Sequence, residues 1–415
     1  MEKDYSASII SDGYLFSKNN GGGRLLEGNF MQERKKGVLI IVPTFSPNVG
    51  GVETHLDDLV AFLAKTGFQV FVQTYAPITT IGVSWKPKER YENVFIRRYR
   101  WFGKNLLHRI EKIPLLHFLY IAPYLFFRVL IFLIMNSKKI DIIHAHGINA
   151  ALIGIFLKKI FKKRLIISIH AVYEIDPGSS TAKRISKILS YADSVLTLSR
   201  ASYNELISFG TDKKIMGFYR HWVNLNNFTP LNQKNELRES FNLKDKFTVL
   251  FVGRLTEIKG IRELVVVATR LSDINFVFIG EGPLSNFLKE ESKKKINVIF
   301  LGKVKNKELP KYYNMADIFC IPSQYEEGFG RVAAEAVACG LPVVGSNRGG
   351  IAEALDNSVS LLMEPTIENL ENAILRLCND RQLYVSFKEN CRVYAERNFS
   401  ENNALGIIRS YEKNN

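Results

Sequence analysis

Short apolar runs recur along the chain, each followed by a polar or glycine-rich loop and then by apolar residues at helical spacing. Val38 to Val42 reads as a buried strand, Val52 to Ala64 as a helix closed near Gly67, and Gln69 to Gln73 as the next strand. This is the pattern of parallel strands covered by helices. Further strands are predicted at Ile140 to Ala145, Arg164 to Ile169 and Ser194 to Leu198. A second series runs through Phe247 to Val252, Asn275 to Ile279, Asn297 to Leu301, Asp317 to Ile321 and Pro342 to Gly345. The expected fold is α/β: two facing doubly wound domains, with a cleft at the carboxyl ends of their strands where such folds bind ligands.

Residues 1–36 contain Gly21-Gly22-Gly23 and no continuous apolar run, so they read as a loose extension. Residues 37–223 then form the first domain and 247–398 the second. Residues 224–246, rich in Asn, Lys and Glu with Pro230, suit a linker. In the closing segment 399–415, Ala404, Ile407, Ile408 and Tyr411 fall at helical spacing. Ile113 to Met135 is a separate question, being 23 mostly apolar residues, long enough to cross a bilayer. Pro114, His117, Pro123 and Arg128 interrupt it. Arg97, Arg98, Arg100, Lys104, Arg109 and Lys112 precede it, and Lys138 and Lys139 follow. A core helix, a helix lying on an anionic membrane and a spanning helix all remain open.

Composition narrows the classes. Of 415 residues, 46% are hydrophobic and 23% charged, which excludes a disordered or low-complexity chain. Lys and Arg number 56 against 41 Asp and Glu, a net charge of +15 that favours phosphate-bearing partners without choosing between nucleotides, lipid headgroups and nucleic acid. Cys320, Cys339, Cys378 and Cys391 form no CxxC pair, so neither a disulfide framework nor a zinc site is expected, and the compartment reads as the reducing cytosol.

The richest window for chemistry runs from Pro322 to Pro342. It follows a predicted strand, and its helix is expected to start near Gly330 and end at Gly340. Glu335 lies in that helix and Glu327 in the loop before it, near a terminus that favours phosphate. Carboxylates accept several hydroxyl hydrogen bonds and so suit sugar and ribose, while glycines admit a ligand close to the backbone. Glu326 has no partner at the same spacing, since Ala334 stands eight residues on. His144 and His146 alternate on one strand and, with His170, could suggest a metal cluster; no HxxxH or carboxylate set completes it, and satisfied structural histidines are expected.

This window resembles the E-x7-E signature of the retaining glycosyltransferases of family 4, which have the GT-B fold. Pro43 to Glu53 resembles the family's first glycine-rich loop, Val252 to Gly260 its diphosphate loop and Gly280 to Pro283 a further nucleotide-side loop; Gly349-Gly350-Ile-Ala-Glu353 fits as well. The likeness spans Gly37 to Tyr411. It implies transfer of a sugar from a nucleoside-diphosphate-sugar to an acceptor hydroxyl with retention of configuration, without cofactor or metal. It further implies that Arg254 and Lys259 hold the diphosphate, Glu335 the ribose and Glu327 the sugar hydroxyls, and that His170 stands at the reacting centre. Gly50, Gly51, Gly282, Gly328, Phe329 and Gly330 would complete the donor site, and a C-terminal helix would return to the first domain.

Arg220-His-Trp-Val-Asn224 departs from the family's usual Pro-Asn-Gly-Val-Asp turn. The expected partners are a nucleotide-sugar and a glycan or lipid-linked acceptor, with an anionic membrane surface if the apolar helix meets lipid, and no nucleic acid. The expected location is the cytoplasm, at the inner face of the cell membrane in that case. A nucleotide-sugar epimerase and a non-catalytic basic binding protein are the alternatives, with a hydrolase at the histidines more remote.

Overall fold

The computed structural model describes residues 35–412 other than 49, 81, 104, 105, 111, 112, 232, 233, 241, 242, 244 and 245. Most of the expected extension therefore lies outside the described residues, as do Lys104 and Lys112. The first sheet is built from β1 (Gly37–Ile41), β2 (Gln69–Tyr75), β3 (Lys88–Tyr91), β4 (Val94–Tyr99), β5 (Ile142–His146), β6 (Arg164–Ile169), β7 (Ser194–Thr197) and β8 (Met216–Phe218), in the order β3-β4-β2-β1-β5-β6-β7-β8. All neighbours pair in parallel except β3 and β4. Its helices are α1 (Gly51–Lys65), α2 (Leu106–Ile110), α3 (Pro114–Asn136), α4 (Ile148–Phe161), α5 (Ser180–Leu189) and α6 (Arg200–Ser208).

After α7 (Lys234–Ser240) comes a second sheet with the order β11-β10-β9-β12-β13-β14. Its strands are β9 (Thr248–Val252), β10 (Asn275–Ile279), β11 (Val298–Gly302), β12 (Ile318–Ile321), β13 (Val343–Ser346) and β14 (Ser360–Met363). Helices α8 (Ile261–Arg270), α9 (Ser285–Lys294), α10 (Leu309–Met315), α11 (Arg331–Ala338), α12 (Gly349–Ala354), α13 (Ile367–Asn379) and α14 (Arg381–Asn398) cover it, and α15 (Leu405–Glu412) follows.

The central strands are apolar at successive positions because helices cover both faces of each sheet. Each residue of β1, Gly-Val-Leu-Ile-Ile, is buried, and alternate side chains enter separate cores on the two faces. Leu56, Leu59, Val60 and Leu63 give α1 one inward stripe. In each sheet the order reverses beside the first strand of the set, at β1 between β2 and β5 and at β9 between β10 and β12. A ligand crevice opens at such a point.

One segment differs from expectation, and a second takes one of the placements left open. Residues 224–246 are more than a linker: Phe228 and Leu243 are buried in the second core, α7 lies within the segment, and Arg238 pairs with Asp317. Helix α3, in turn, is divided lengthwise. Ile121, Leu125, Val129 and Leu133 join the first core, each contributing about 1.5–3 kcal/mol by burial. Pro123 has no N–H to give its own helix. Next to it the Tyr75 hydroxyl enters the helical ladder, donating to the Ile121 carbonyl and accepting from the Leu125 N–H at 3.1 Å. The inner face is thus a core helix tied to β2, and a bilayer-spanning placement would strip it from that core. The outer face is exposed, with Leu115, Phe127, Ile134 and Met135 in the open.

Phe399 stays in the second core, and the segment beyond it packs on the first domain. Ala404, Ile407 and Tyr411 are buried with Val38, Ile40 and Leu196, and the Arg164 side chain donates to the Ser410 carbonyl at 3.0 Å.

Candidate active site

The loops after β9 and β12 carry the central constellation. Gly260 closes the first loop with φ +68°, and a Cβ there would lie 2.0 Å from the Pro322 carbonyl oxygen, so only glycine lets the two loops touch. That approach brings Lys259 to Glu327. The Lys259 ammonium pairs with the Glu327 carboxylate and donates to the Tyr325 hydroxyl at 2.9 Å; that hydroxyl donates to Glu327 Oε2 at 3.1 Å. Ser323 donates to Glu327 Oε1, and the Lys259 ammonium also sits 4.9 Å above the Tyr325 ring. Burial alone would lower the Lys259 pKa, but Glu327 and Tyr325 outweigh it and hold the ammonium above its usual value. Arg254, five residues earlier, is exposed and unpaired among the described residues. Gly282 belongs to the neighbouring loop, which is laced to the first by hydrogen bonds from Leu255 N to Glu281 O and from Leu284 N to Leu255 O, both 3.0 Å.

The first domain faces these loops at close range. A Cβ on Gly328 would stand 2.5 Å from the His170 carbonyl oxygen, so the Glu327-Gly-Phe-Gly330 turn lies directly against the end of β6. Glu174 accepts from the Glu326 N–H at 3.2 Å, and Glu353 accepts from the Arg200 and Ala201 N–H groups at 2.6 and 2.8 Å, closing the start of α6 from the opposite domain. Phe329 packs on the His221 ring with centroids 4.8 Å apart. Gly50 and Gly51 stand at the start of α1, with Gly51 exposed.

His170, itself half-buried, belongs to a chain of five histidines whose other four members are buried. His146 Nδ1 lies 2.9 Å from His170 Nε2; His144 is held between the Tyr411 hydroxyl at 2.7 Å and the Ser168 hydroxyl at 2.8 Å. His55 meets the Tyr219 hydroxyl at 2.9 Å and His221 ring to ring at 4.2 Å. Burial lowers all five, His170 to about 4 and His144 to about 3, so the imidazoles are neutral at pH 7. The expectation of satisfied histidines holds for His144 and needs correction for the other two: among the described residues His146 Nε2 and His170 Nδ1 are buried without a partner, as are His55 Nδ1 and His221 Nδ1. No set of three His, Cys, Asp or Glu among the described residues is placed to hold a metal ion.

Glu335 is enclosed by partners of its own domain. It is 2% exposed, with Oε1 accepting from Arg331 Nε at 3.0 Å and Oε2 from the Tyr313 hydroxyl at 3.1 Å. The cause is Arg331, one helical turn earlier on the same face. Its guanidinium also reaches Asp58 of α1 at 2.6 Å and the Trp222 carbonyl at 3.3 Å, spanning the two domains. Burial raises Asp58 and Glu335 against the pull of Arg331. Trp222, from the segment that departs from the family turn, is fully buried beside His55 and Phe62. The departure therefore builds an interdomain anchor, which no local sequence signal announced.

Two doubly wound domains joined across a cleft of this construction define the GT-B class. Residues 49–220 match the family described as Glycosyltransferase Family 4 and residues 233–394 match Glycosyl transferases group 1. The chain is 30% identical over 334 residues to an uncharacterized glycosyltransferase of Methanocaldococcus jannaschii, covering 75% of this chain and 80% of that one. It is 27% identical over 360 residues to one of the subunits of human phosphatidylinositol N-acetylglucosaminyltransferase, covering 83% and 69%. Among solved structures, sucrose-phosphate synthase from Thermosynechococcus elongatus superposes with a TM-score of 0.73 at 22% identity, covering 91% and 98%, and shares the fold. The protein belongs to the group 1, family 4 glycosyltransferases and is a glycosyltransferase.

Proposed function

We propose that the protein moves a sugar from a nucleoside-diphosphate-sugar to a hydroxyl of a lipid-linked acceptor, with retention of configuration. The observation that carries this reading is the Lys259–Tyr325–Glu327 constellation held against His170 across the cleft. Lys259 and the exposed Arg254 neutralise the diphosphate as it leaves; a planar guanidinium and a mobile ammonium do this through charge-assisted bonds. Glu327 then takes sugar hydroxyls in place of its present partners. A donor phosphate oxygen accepts the acceptor proton on the face from which the diphosphate departs, so the sugar carbon exchanges one C–O bond for another without a protein nucleophile. Neutral His170 positions the donor sugar. Glu335 receives the ribose by exchanging its Arg331 or Tyr313 contact for a ribose hydroxyl. The name of the human relative, which specifies phosphatidylinositol and N-acetylglucosamine, supports a lipid acceptor.

The test is transfer and slow donor hydrolysis with a panel of UDP- and GDP-sugars. Lys259→Ala and Glu327→Ala are expected to lower turnover by about a hundredfold or more while melting stays cooperative. Full turnover in either variant refutes the assignment. Release of an isomerised sugar without acceptor favours an epimerase instead.

A further inference from the structure

The outer face of α3 carries Leu119, Phe127, Ile131 and Met135 at intervals of four or eight residues, 53%, 59%, 52% and 75% exposed. It continues onto α4, where Phe156 and Ile160 are also exposed and the Phe126 and Phe156 rings meet with centroids 6.0 Å apart. A contiguous apolar surface on two packed helices is uncommon on a protein facing water alone.

Charge identifies what covers it. Neither helix contains an acidic residue. Between positions 113 and 163 there are seven Lys and Arg against a single acid, Asp141, which bonds the Gly37 N–H. Lys138, Lys139, Lys159 and Lys162 are exposed just after α3 and at or beyond the last turn of α4. Both helices link parallel strands and so run back from the cleft, which gathers these lysines at one edge of the apolar face. The other edge reaches the cleft. His117 in the first turn of α3 lies 3.0 Å from Asn149 Nδ2, at the start of α4 beside the end of β5, where His146 meets His170.

We propose that this face seats the protein on an anionic lipid bilayer, the apolar side chains entering the headgroup boundary and the lysines meeting lipid phosphates. An amphipathic surface with cationic residues at its margin has the chemistry for that position. The cleft then opens at the membrane, where an acceptor with a lipid anchor presents its hydroxyl. This last consequence rests on the transferase reading; the docking does not.

The experiment is flotation of the full chain with vesicles of phosphatidylcholine alone or mixed with phosphatidylglycerol, at low and high salt. Wild type is expected to float with the anionic vesicles and to be partly released by salt. In the combined variant Phe127→Ser, Ile131→Ser, Phe156→Ser the bound fraction is expected to fall about tenfold or more. The set Lys138→Gln, Lys139→Gln, Lys159→Gln, Lys162→Gln is expected to lose the salt-sensitive part and provides a second test if the first variant folds poorly. Equal flotation of wild type and both variants, or none by wild type, overturns the proposal. A wild-type dimer that the serine variant disperses, without vesicle binding, assigns the face to a second copy. Donor hydrolysis in solution, unchanged in the serine variant, keeps the docking result separate from the reading of the cleft.

Discussion

His144→Gln isolates the effect of burying imidazoles. Burial lowers His144 to about 3, while an exposed histidine in the unfolded chain titrates near 6.5. The unfolded state therefore binds more protons as pH falls below about 6.5, and stability present above that value is lost on the way to pH 3. Between pH 7.5 and 5.0 this one residue removes about 2 kcal/mol, from 1.36 kcal/mol per pH unit over about 1.5 units. Other groups move at the same time. Asp57, raised to about 7 by burial and the neighbouring Asp58, acts in the opposite sense, because protonation of its carboxyl favours the folded state. A double difference removes them. Urea unfolding of wild type and His144→Gln at both pH values gives four midpoints, and the variant is expected to lose about 2 kcal/mol less on acidification. Glutamine can still meet the Tyr411 and Ser168 hydroxyls, and any pH-independent cost cancels. An identical acid response in both proteins refutes the argument.

Arg331→Met leaves the buried Glu335 and the half-buried Asp58 without their cation and is expected to destabilise by about 3 kcal/mol; adding Asp58→Asn and Glu335→Gln should recover part of the loss, read by chemical denaturation. Phe228→Ala is expected to cost about 3–5 kcal/mol, as for a core phenylalanine; a cost below about 1 kcal/mol would return residues 224–246 to the role of linker. Tyr325→Phe removes the hydroxyl shared by Lys259 and Glu327 and is expected to slow donor turnover several-fold at unchanged melting temperature, with steady-state kinetics as the check.

The doubly wound fold was legible because its central strands are buried on both faces and appear as uninterrupted apolar runs. The edges were not. Lys88-Glu-Arg-Tyr91 forms β3 with charges that solvent accepts, β8 spans only Met216 to Phe218, and β14 is similarly short. At the site, Glu327 was marked by its loop, which follows a strand at a cleft-forming end, and Lys259 by the family resemblance of the Val252 to Gly260 loop. Arg331 could not. Its partners Asp58 and Trp222 lie 273 and 109 residues away, and their meeting depends on how the domains close. The same distance hid His55 and His221 from the histidine pair on β5. Helix α3 was ambiguous because it is apolar on every side, and only packing divides its inner face from its outer one.

Helix α15 sets an order of events at the ribosome. The first sheet ends at Phe218, yet one of its cores needs Ala404, Ile407 and Tyr411, and His144 needs the Tyr411 hydroxyl. The roughly 190 residues from Phe218 to Leu405 take about 10–40 s to synthesise at 5–20 residues per second. Throughout that interval the nascent first domain holds an open apolar seam, and the second domain can be folded before the first is sealed. Synthesis of this enzyme therefore finishes its earliest domain last, leaving a window in which a chaperone has the most to cover.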